Sequence, residues 1–541
     1  MRKIFTFVLF MLAAGLASAT DTYYAPSATG SGAGTSCANA IALPSSLPTT
    51  AGNTAHICGG TYTGASGATS FLSLANSGTS GNPITVIADQ GAVNFTSTNW
   101  AGGVINLAGK NYVTINGVSA NNWTIQSTLN GTSGAACTGG PCSHQSDFGE
   151  CVNTGASYGG SNITIEYINC QQLYHIASPA DNGGEDTYAF DMWGVSNLVI
   201  ANNTCNYVKW CVRAPYEIGS TYASPTFTAH NNNWTNMDHG YLVGAGDNSG
   251  TVTMGTMVIH NDTWGSMTAW DNTADGNHHD WIHITANGAN GVFQDVEIYD
   301  NVGIGDVGGN ANAGVYLAID NGSMVGAVVN NVLHNTSTTH CWANGYVLEN
   351  VNAQPVLIAN NTFVGNNSGT CTNNGESLNG DNGIIYDSSS QASIYNNLLI
   401  DMPNDVFYSE GTVSIAAMDY NDEYLGSYWT WSGKGGTGVF ATWQGFCACD
   451  THSILTNPNV NAGSTPPYQL TNSSSPAYRT GTNLNAAWGS TYPILLTDAA
   501  GNSRPTSGAW DMGAYYLNGT PAPGFTVSPA TIPAHHANNI T

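Results

Sequence analysis

The sequence predicts an all-β solenoid, a parallel β-helix, on three observations. Short strands rich in Val and Ile recur with no helical periodicity between them. An asparagine-rich turn follows each strand at a nearly constant phase. Charged residues make up only 8% of the chain, while Gly, Asn, Ser and Thr abound. The Leu, Glu, Lys and Ala signature of helical domains is missing.

The repeat can be read strand by strand. Leu198-Val199-Ile200 precedes Asn202-Asn203, Phe227 precedes Asn231-Asn232, and Met257-Val258-Ile259 precedes Asn261. The series continues through Asn301, Asn331, Asn361 and Asn397. From Asn203 through Asn232 and Asn261 to Asn397 the intervals are 29, 29, 40, 30, 30 and 36 residues. Such a period means stacked coils. Each strand then pairs with its equivalents above and below, and the asparagines form a hydrogen-bonded ladder at one corner. A β-sandwich is the competing fold, but it needs hairpin turns rather than one corner recurring at coil length.

The ends and the composition set the context. Arg2 and Lys3, the apolar run Ile4 to Leu16 and the small residues Ala17-Ser18-Ala19 read as a secretory signal over 1–19. Residues 20–518 are expected to form the β-helix domain. Residues 519–541, with Pro521 and Pro523, read as a linker and the start of a truncated immunoglobulin-like module at Phe525 to Pro529. No later segment is long and apolar enough to span a bilayer, so a secreted monomer is expected. Eight Lys and Arg stand against 34 acids, a net charge of −26, which excludes nucleic acid as a partner.

Twelve cysteines in an exported chain read as disulfides. The candidate pairs are Cys37 with Cys58, Cys137 with Cys142, Cys151 with Cys170, Cys205 with Cys211, and Cys341 with Cys371. A direct bridge within Cys447-Ala448-Cys449 is expected to be strained. A zinc site is the alternative, though no paired Cys-x-x-Cys knuckles occur.

Tyr23-Tyr24-Ala25-Pro26-Ser27, Gly60-Thr61-Tyr62 and Gly81-Asn82-Pro83-Ile84-Thr85-Val86 at the start carry a family resemblance. So do Ser475-Pro476-Ala477, Gly501 to Arg504-Pro505 and Asp511-Met512-Gly513-Ala514-Tyr515 at the end. With these motifs the chain resembles secreted right-handed parallel β-helix proteins of the pectate-lyase-like superfamily, of the chondroitinase B and alginate lyase type. Tyr516 stands where that family often has an acid. The resemblance implies a right-handed helix and activity on a polysaccharide, and it leaves the substrate open.

Long inserts between coils locate function. The longest interval holds Asp271, Asp275, His278, His279, Asp280 and His283. Equivalent stretches of the preceding coils carry Asp238 and His239, then Lys209 and Arg213, then Asp186 and Asp191. Stacking makes these neighbours on one surface, with coils about 4.8 Å apart. Lys209 and Arg213 are the only basic Lys or Arg residues between Lys110 and Lys434. Lys209, Arg213, Asp238, His239, His279 and Asp280 are therefore the candidate catalytic residues. Strict alternation around Ile282 and Ile284 turns Trp281 and His283 outward. With Trp193 and Tyr316 they are the candidate sugar-stacking and binding residues.

Three readings follow. In a uronan lyase, Lys209 is the base. Arg213, or Ca²⁺ held by Asp186, Asp191 and Asp238, neutralises the substrate carboxylate. The resemblance implies a similar Lys-plus-cation arrangement. In a glycoside hydrolase on a neutral glycan, Asp238 and Asp280 flank the bond. In the third reading the chain is a non-catalytic glycan-binding or cell-surface adhesin. The isolated Lys209/Arg213 pair favours the lyase.

Overall fold

The structure is a computed structural model. It describes residues 20–128, 149–155, 159–173, 187–217, 225–245, 251–268, 279–286, 290–319, 322–517 and 520–521. Breaks fall at 352–354, 366–369, 374–375, 379, 387–390, 410–416 and 432–435. The expected signal segment, Cys137 and Cys142, Asp186, Asp271, Asp275, His278 and nearly all of 519–541 lie outside the described residues.

Each coil contributes three short strands, and each strand pairs in parallel with its equivalents one coil away. One coil comprises Val195–Ala201, Thr204–Asn206 and Trp210–Glu217. In the next coil Leu198 pairs with Phe227, Cys205 with Trp234, and Val212 with Tyr241. Repetition of this pattern builds the expected right-handed parallel β-helix, with three faces around one apolar core. Val, Ile, Leu and Trp side chains fill the interior because inward positions stack on their own kind from coil to coil.

The corner between the first and second faces explains the asparagine pairs. Asn202, Asn231, Asn330, Asn360 and Asn396 have φ between 53° and 59°, a left-handed conformation that Asn tolerates. The residue after each turns inward and joins the ladder. The Nδ2 of Asn203 donates to Asn232 Oδ1 at 3.2 Å, Asn301 to Asn331 at 2.9 Å, and Asn331 to Asn361 and Asn361 to Asn397 at 3.0 Å. Each amide also reaches a buried carbonyl, as Asn203 Nδ2 does at Ile165 O.

One rung differs from the sequence expectation. Asn261 is the left-handed residue, and the ladder position belongs to Asp262. The rungs are thus 29, 30, 39, 30, 30 and 36 residues apart from Asn203 to Asn397, and Asn421 follows 24 residues later. The Asp262 side chain has no N–H to donate, and its backbone N–H alone passes the ladder on to Asn301. The Tyr241 hydroxyl donates to Asp262 Oδ2 from inside the core instead.

The chain closes on itself at its C-terminal end. Helix Phe440–Cys447 caps the last coils, with Trp443 buried against Phe407 and Trp431. The segment after it then runs back over the outside. Tyr468, Leu470 and Met512 pack on Val332, Val364 and Leu398 of the second face. Leu484, Leu495 and Trp510 pack on Ala327, Val329 and Leu357 of the first. Among the described residues the third face receives none of these contacts.

Disulfides join Cys37 to Cys58, Cys151 to Cys170, Cys205 to Cys211 and Cys341 to Cys371, as the spacing suggested. Cys447 and Cys449 are also bridged, against expectation. Their Cα atoms lie 5.1 Å apart, within the range a disulfide spans. Among the described residues no helix is long and apolar enough to cross a membrane.

Candidate active site on the third face

The third-face strands break simple alternation. In Glu150–Asn153, Tyr188–Asp191, Trp210–Glu217 and His239–Ala245 the second and third residues both face the core, and in His279–Ala286 the third and fourth do. Cys151 with Val152, Ala189 with Phe190, Cys211 with Val212, and Trp281 with Ile282 are such inward pairs. In the fourth coil Gly240 takes the inward place beside Tyr241. A Cβ there would meet Trp281 O at 2.4 Å and Trp264 Nε1 at 3.0 Å. Residues i and i+3 consequently share the outer side, which regular alternation forbids.

Two outward rows result. One runs Glu150, Tyr188, Trp210, His239, Asp280, Ala313. The other runs Asn153, Asp191, Arg213, Leu242, His283, Tyr316. Together they cover about 24 Å at one strand spacing per coil. Before the first row stand Lys209, Asp238 and His279, one per coil. The Asp238 amide donates to Lys209 O at 2.8 Å.

Two charged groups occupy these rows. In the first, Arg213 grips Asp191 with two prongs, Nε to Oδ1 and Nη2 to Oδ2, both 2.7 Å. Its guanidinium is sandwiched by Tyr188 at 4.0 Å and Trp193 at 4.6 Å. Glu150, on the preceding coil, hydrogen-bonds Asp191 and accepts from Asn153 Nδ2. Burial and the neighbouring Asp191 charge push the Glu150 carboxyl up to about 8, against the opposing pull of Asn153 and Arg213.

The second group lies further along. His239 stacks on Trp210 with ring centroids 4.2 Å apart. Its Nδ1 is 3.3 Å from Asp238 Oδ2 and its Nε2 is 3.4 Å from Asp280 Oδ2. His279 Nε2 lies 3.4 Å from Asp238 Oδ1, and His283 Nδ1 lies 3.3 Å from Asp280 Oδ2. Burial opposes charge on Asp238, but His239, His279 and Lys209 together hold its carboxyl below the ordinary range. Burial also disfavours the charged His239, yet Asp238 and Asp280 raise it to about 9. His239, Asp280 and His283 present three ligand atoms within 4.8 Å of one another.

The expected residues are therefore gathered, with three corrections. Lys209 is not an outward base: it is fully buried, behind Asp238. Trp281 is not a sugar platform. It is core, stacked on Trp264 and edge-on to Trp342, because two successive inward positions replaced alternation. The carboxylates expected around Ca²⁺ have other neighbours, Arg213 at Asp191 and two histidines at Asp238. Trp193 and Tyr316 remain partly exposed, with Tyr316 stacked on His283 at 4.6 Å. Glu150 was missed. Its signal is Glu150-Cys151-Val152-Asn153 aligned with Tyr188-Ala189-Phe190-Asp191, one coil before the first residue considered.

No protein-family profile matches the chain, and no curated protein does. A solved structure described as the crystal structure of pectate lyase Pel9A is similar over 93% of this chain and 97% of its own. The two are 13% identical, with a TM-score of 0.40.

Proposed function

We propose that this chain is an exported polysaccharide-cleaving enzyme that hydrolyses a neutral glycan on the third face. The observation that carries the reading is the Glu150–Asp191–Arg213 group. Glu150 keeps its proton at neutral pH, while Asp191 lies against a fixed guanidinium. A carboxyl that keeps its proton at neutral pH is the general acid that glycoside hydrolysis needs. Glu150 donates its proton to the departing glycosidic oxygen, and the water that adds to the anomeric carbon releases its proton to solvent. Asp191, clamped by Arg213 and hydrogen-bonded to Glu150, positions that acid. Trp193 and Tyr316, both partly exposed, offer ring surface for sugar rings on this face.

A neutral substrate fits the charge balance. Arg213 is already matched by Asp191, Lys209 is buried, and the chain carries a net charge of −26. Lyase chemistry on a uronate chain loses its two supports, an exposed lysine base and an uncommitted arginine.

A panel of neutral and uronate glycans tests this. The expected result is new reducing ends with no ultraviolet-absorbing unsaturated product. Glu150→Gln should lower kcat by about 10²–10⁴-fold, the usual contribution of a general acid. Wild-type activity should fall as pH rises through about 8, where Glu150, held protonated that far by burial and the Asp191 charge against Asn153 and Arg213, loses its proton. An unsaturated product would identify a lyase, and no product from any glycan would favour the adhesin reading.

A further inference from the structure

We propose that His239, Asp280 and His283 form a three-ligand site for a divalent transition metal of the Zn²⁺ type. This goes beyond the cleavage reading and holds whether or not the chain cuts a glycan. The argument begins with spacing. His239 Nε2 and His283 Nδ1 lie 3.4 Å and 3.3 Å from the same oxygen, Asp280 Oδ2. Tetrahedral ligands at zinc–nitrogen and zinc–oxygen lengths of about 2.0–2.1 Å stand about 3.3–3.4 Å apart. Ordinary N–H···O bonds centre on about 2.9–3.0 Å. The observed edges match the polyhedron better than the hydrogen bond.

The surroundings match as well. A metal-bound histidine usually donates its second ring nitrogen to a carboxylate, which fixes the tautomer. Asp238 stands at that place, 3.3 Å from His239 Nδ1, and is itself held by His279. Asp280 uses its other oxygen, Oδ1, to accept the Ala313 amide at 2.9 Å, which aims Oδ2 at the two imidazoles. His239 and Asp280 are buried, whereas the His283 side chain is 12% exposed. Of the three, only His283 reaches the surface, so a fourth ligand such as water would enter from its side.

The fold explains how the ligands meet. His239 and Asp280 are register partners on adjacent coils. Asp280 and His283 share a side only because Trp281 and Ile282 both turn into the core. Two nitrogens and one carboxylate select a borderline transition metal over Ca²⁺, which takes six to eight oxygens.

The test is titration of the chelator-stripped, full-length protein with Zn²⁺ and, separately, Ca²⁺, followed by calorimetry, with Co²⁺ as a spectroscopic probe. The expected result is one Zn²⁺ per chain and a visible Co²⁺ spectrum of tetrahedral type. His283→Ala should weaken Zn²⁺ by at least about 100-fold, and Asp238→Asn by about 10–100-fold, the usual effect of an orienting carboxylate. His283→Gln, checked for native circular dichroism, repeats the first measurement in a bulkier side chain. Absence of Zn²⁺ binding to the folded wild type would overturn the site. So would binding unchanged in both folded His283 variants, or a preference for Ca²⁺. None of these readouts depends on glycan cleavage, so failure of the hydrolase reading remains a separate result.

Discussion

The asparagine corner and the third face are made by the same operation, the stacking of equivalent positions, and they use it for opposite ends. At the corner, neutral amides each donate to the next rung and to a carbonyl, so the amide of one rung is matched by those of its repeats. On the third face the stacked residues are unlike: Glu150, Asp191, Arg213, His239, Asp280 and His283. Their charges are balanced only by neighbours of different type, and removing one leaves another stranded in a low-dielectric site. Self-complementary stacking therefore gives stability, and hetero-complementary stacking gives perturbed acids and bases. Asp262 is a third-face chemistry placed in the corner, and it needs Tyr241 to be accommodated.

This contrast can be broken in order of expected effect. Lys209→Met should be the largest change in stability, on the order of 3–5 kcal/mol, because it removes a buried cation from beside buried Asp238. Urea unfolding checks this, and a near-neutral result would mean that Asp238 is balanced by its histidines alone. Asn331→Ala should follow, at roughly 2–3 kcal/mol. It deletes the acceptor of Asn301 and donations to Ile298 O and Asn361. The same measurement applied to half-buried Asn76, whose Nδ2 donates to Pro48 O and Thr49 O outside the ladder, should show a smaller change.

A further effect is read against pH. Burial pushes the Asp262 carboxyl up to about 7, against the stabilising bonds from Tyr241 and Asn232. An acid raised on folding contributes stability that is fully present below its unfolded value, about 3.9, and is lost as pH rises through its folded value. Wild type should therefore lose stability between about pH 4 and pH 7 relative to Asp262→Asn, which cannot ionise. Parallel curves of unfolding free energy against pH for the two proteins would show that Asp262 is not strained by its place in the ladder.

Much of the fold was legible because the corner residues are chosen twice. Asn suits both the left-handed position and the ladder position after it, so the pairs Asn202-Asn203 and Asn360-Asn361 mark the coil unmistakably. Where the second residue is Asp262, residue type misleads and only phase is right. The coil-to-coil match of Lys209, Asp238 and His279 was also readable, since stacking depends on spacing alone. The direction of side chains was not. Alternation assigns Trp281 outward, and only the packing of Trp264 and Trp342 shows that it belongs inside. Nor does the sequence tell that a lone lysine in an acidic chain is buried: that depends on the charges of Asp238 and its histidines, which meet only after folding.

The end of the ladder has a consequence for how the molecule behaves in company. Asn421 Nδ2 reaches Asp450 Oδ1 at 3.4 Å, and Asp450 also accepts from Ser453 Oγ at 2.7 Å and Trp443 Nε1 at 2.8 Å. The Asn421 backbone N–H is received by Ser453 Oγ at 2.8 Å, so the series passes here from amides to a hydroxyl and a carboxylate. Open strand edges at the end of a stack are templates for pairing with another chain. The Phe440–Cys447 helix, laid over the last coils with Trp443 donating to Asp450, covers that end of the stack.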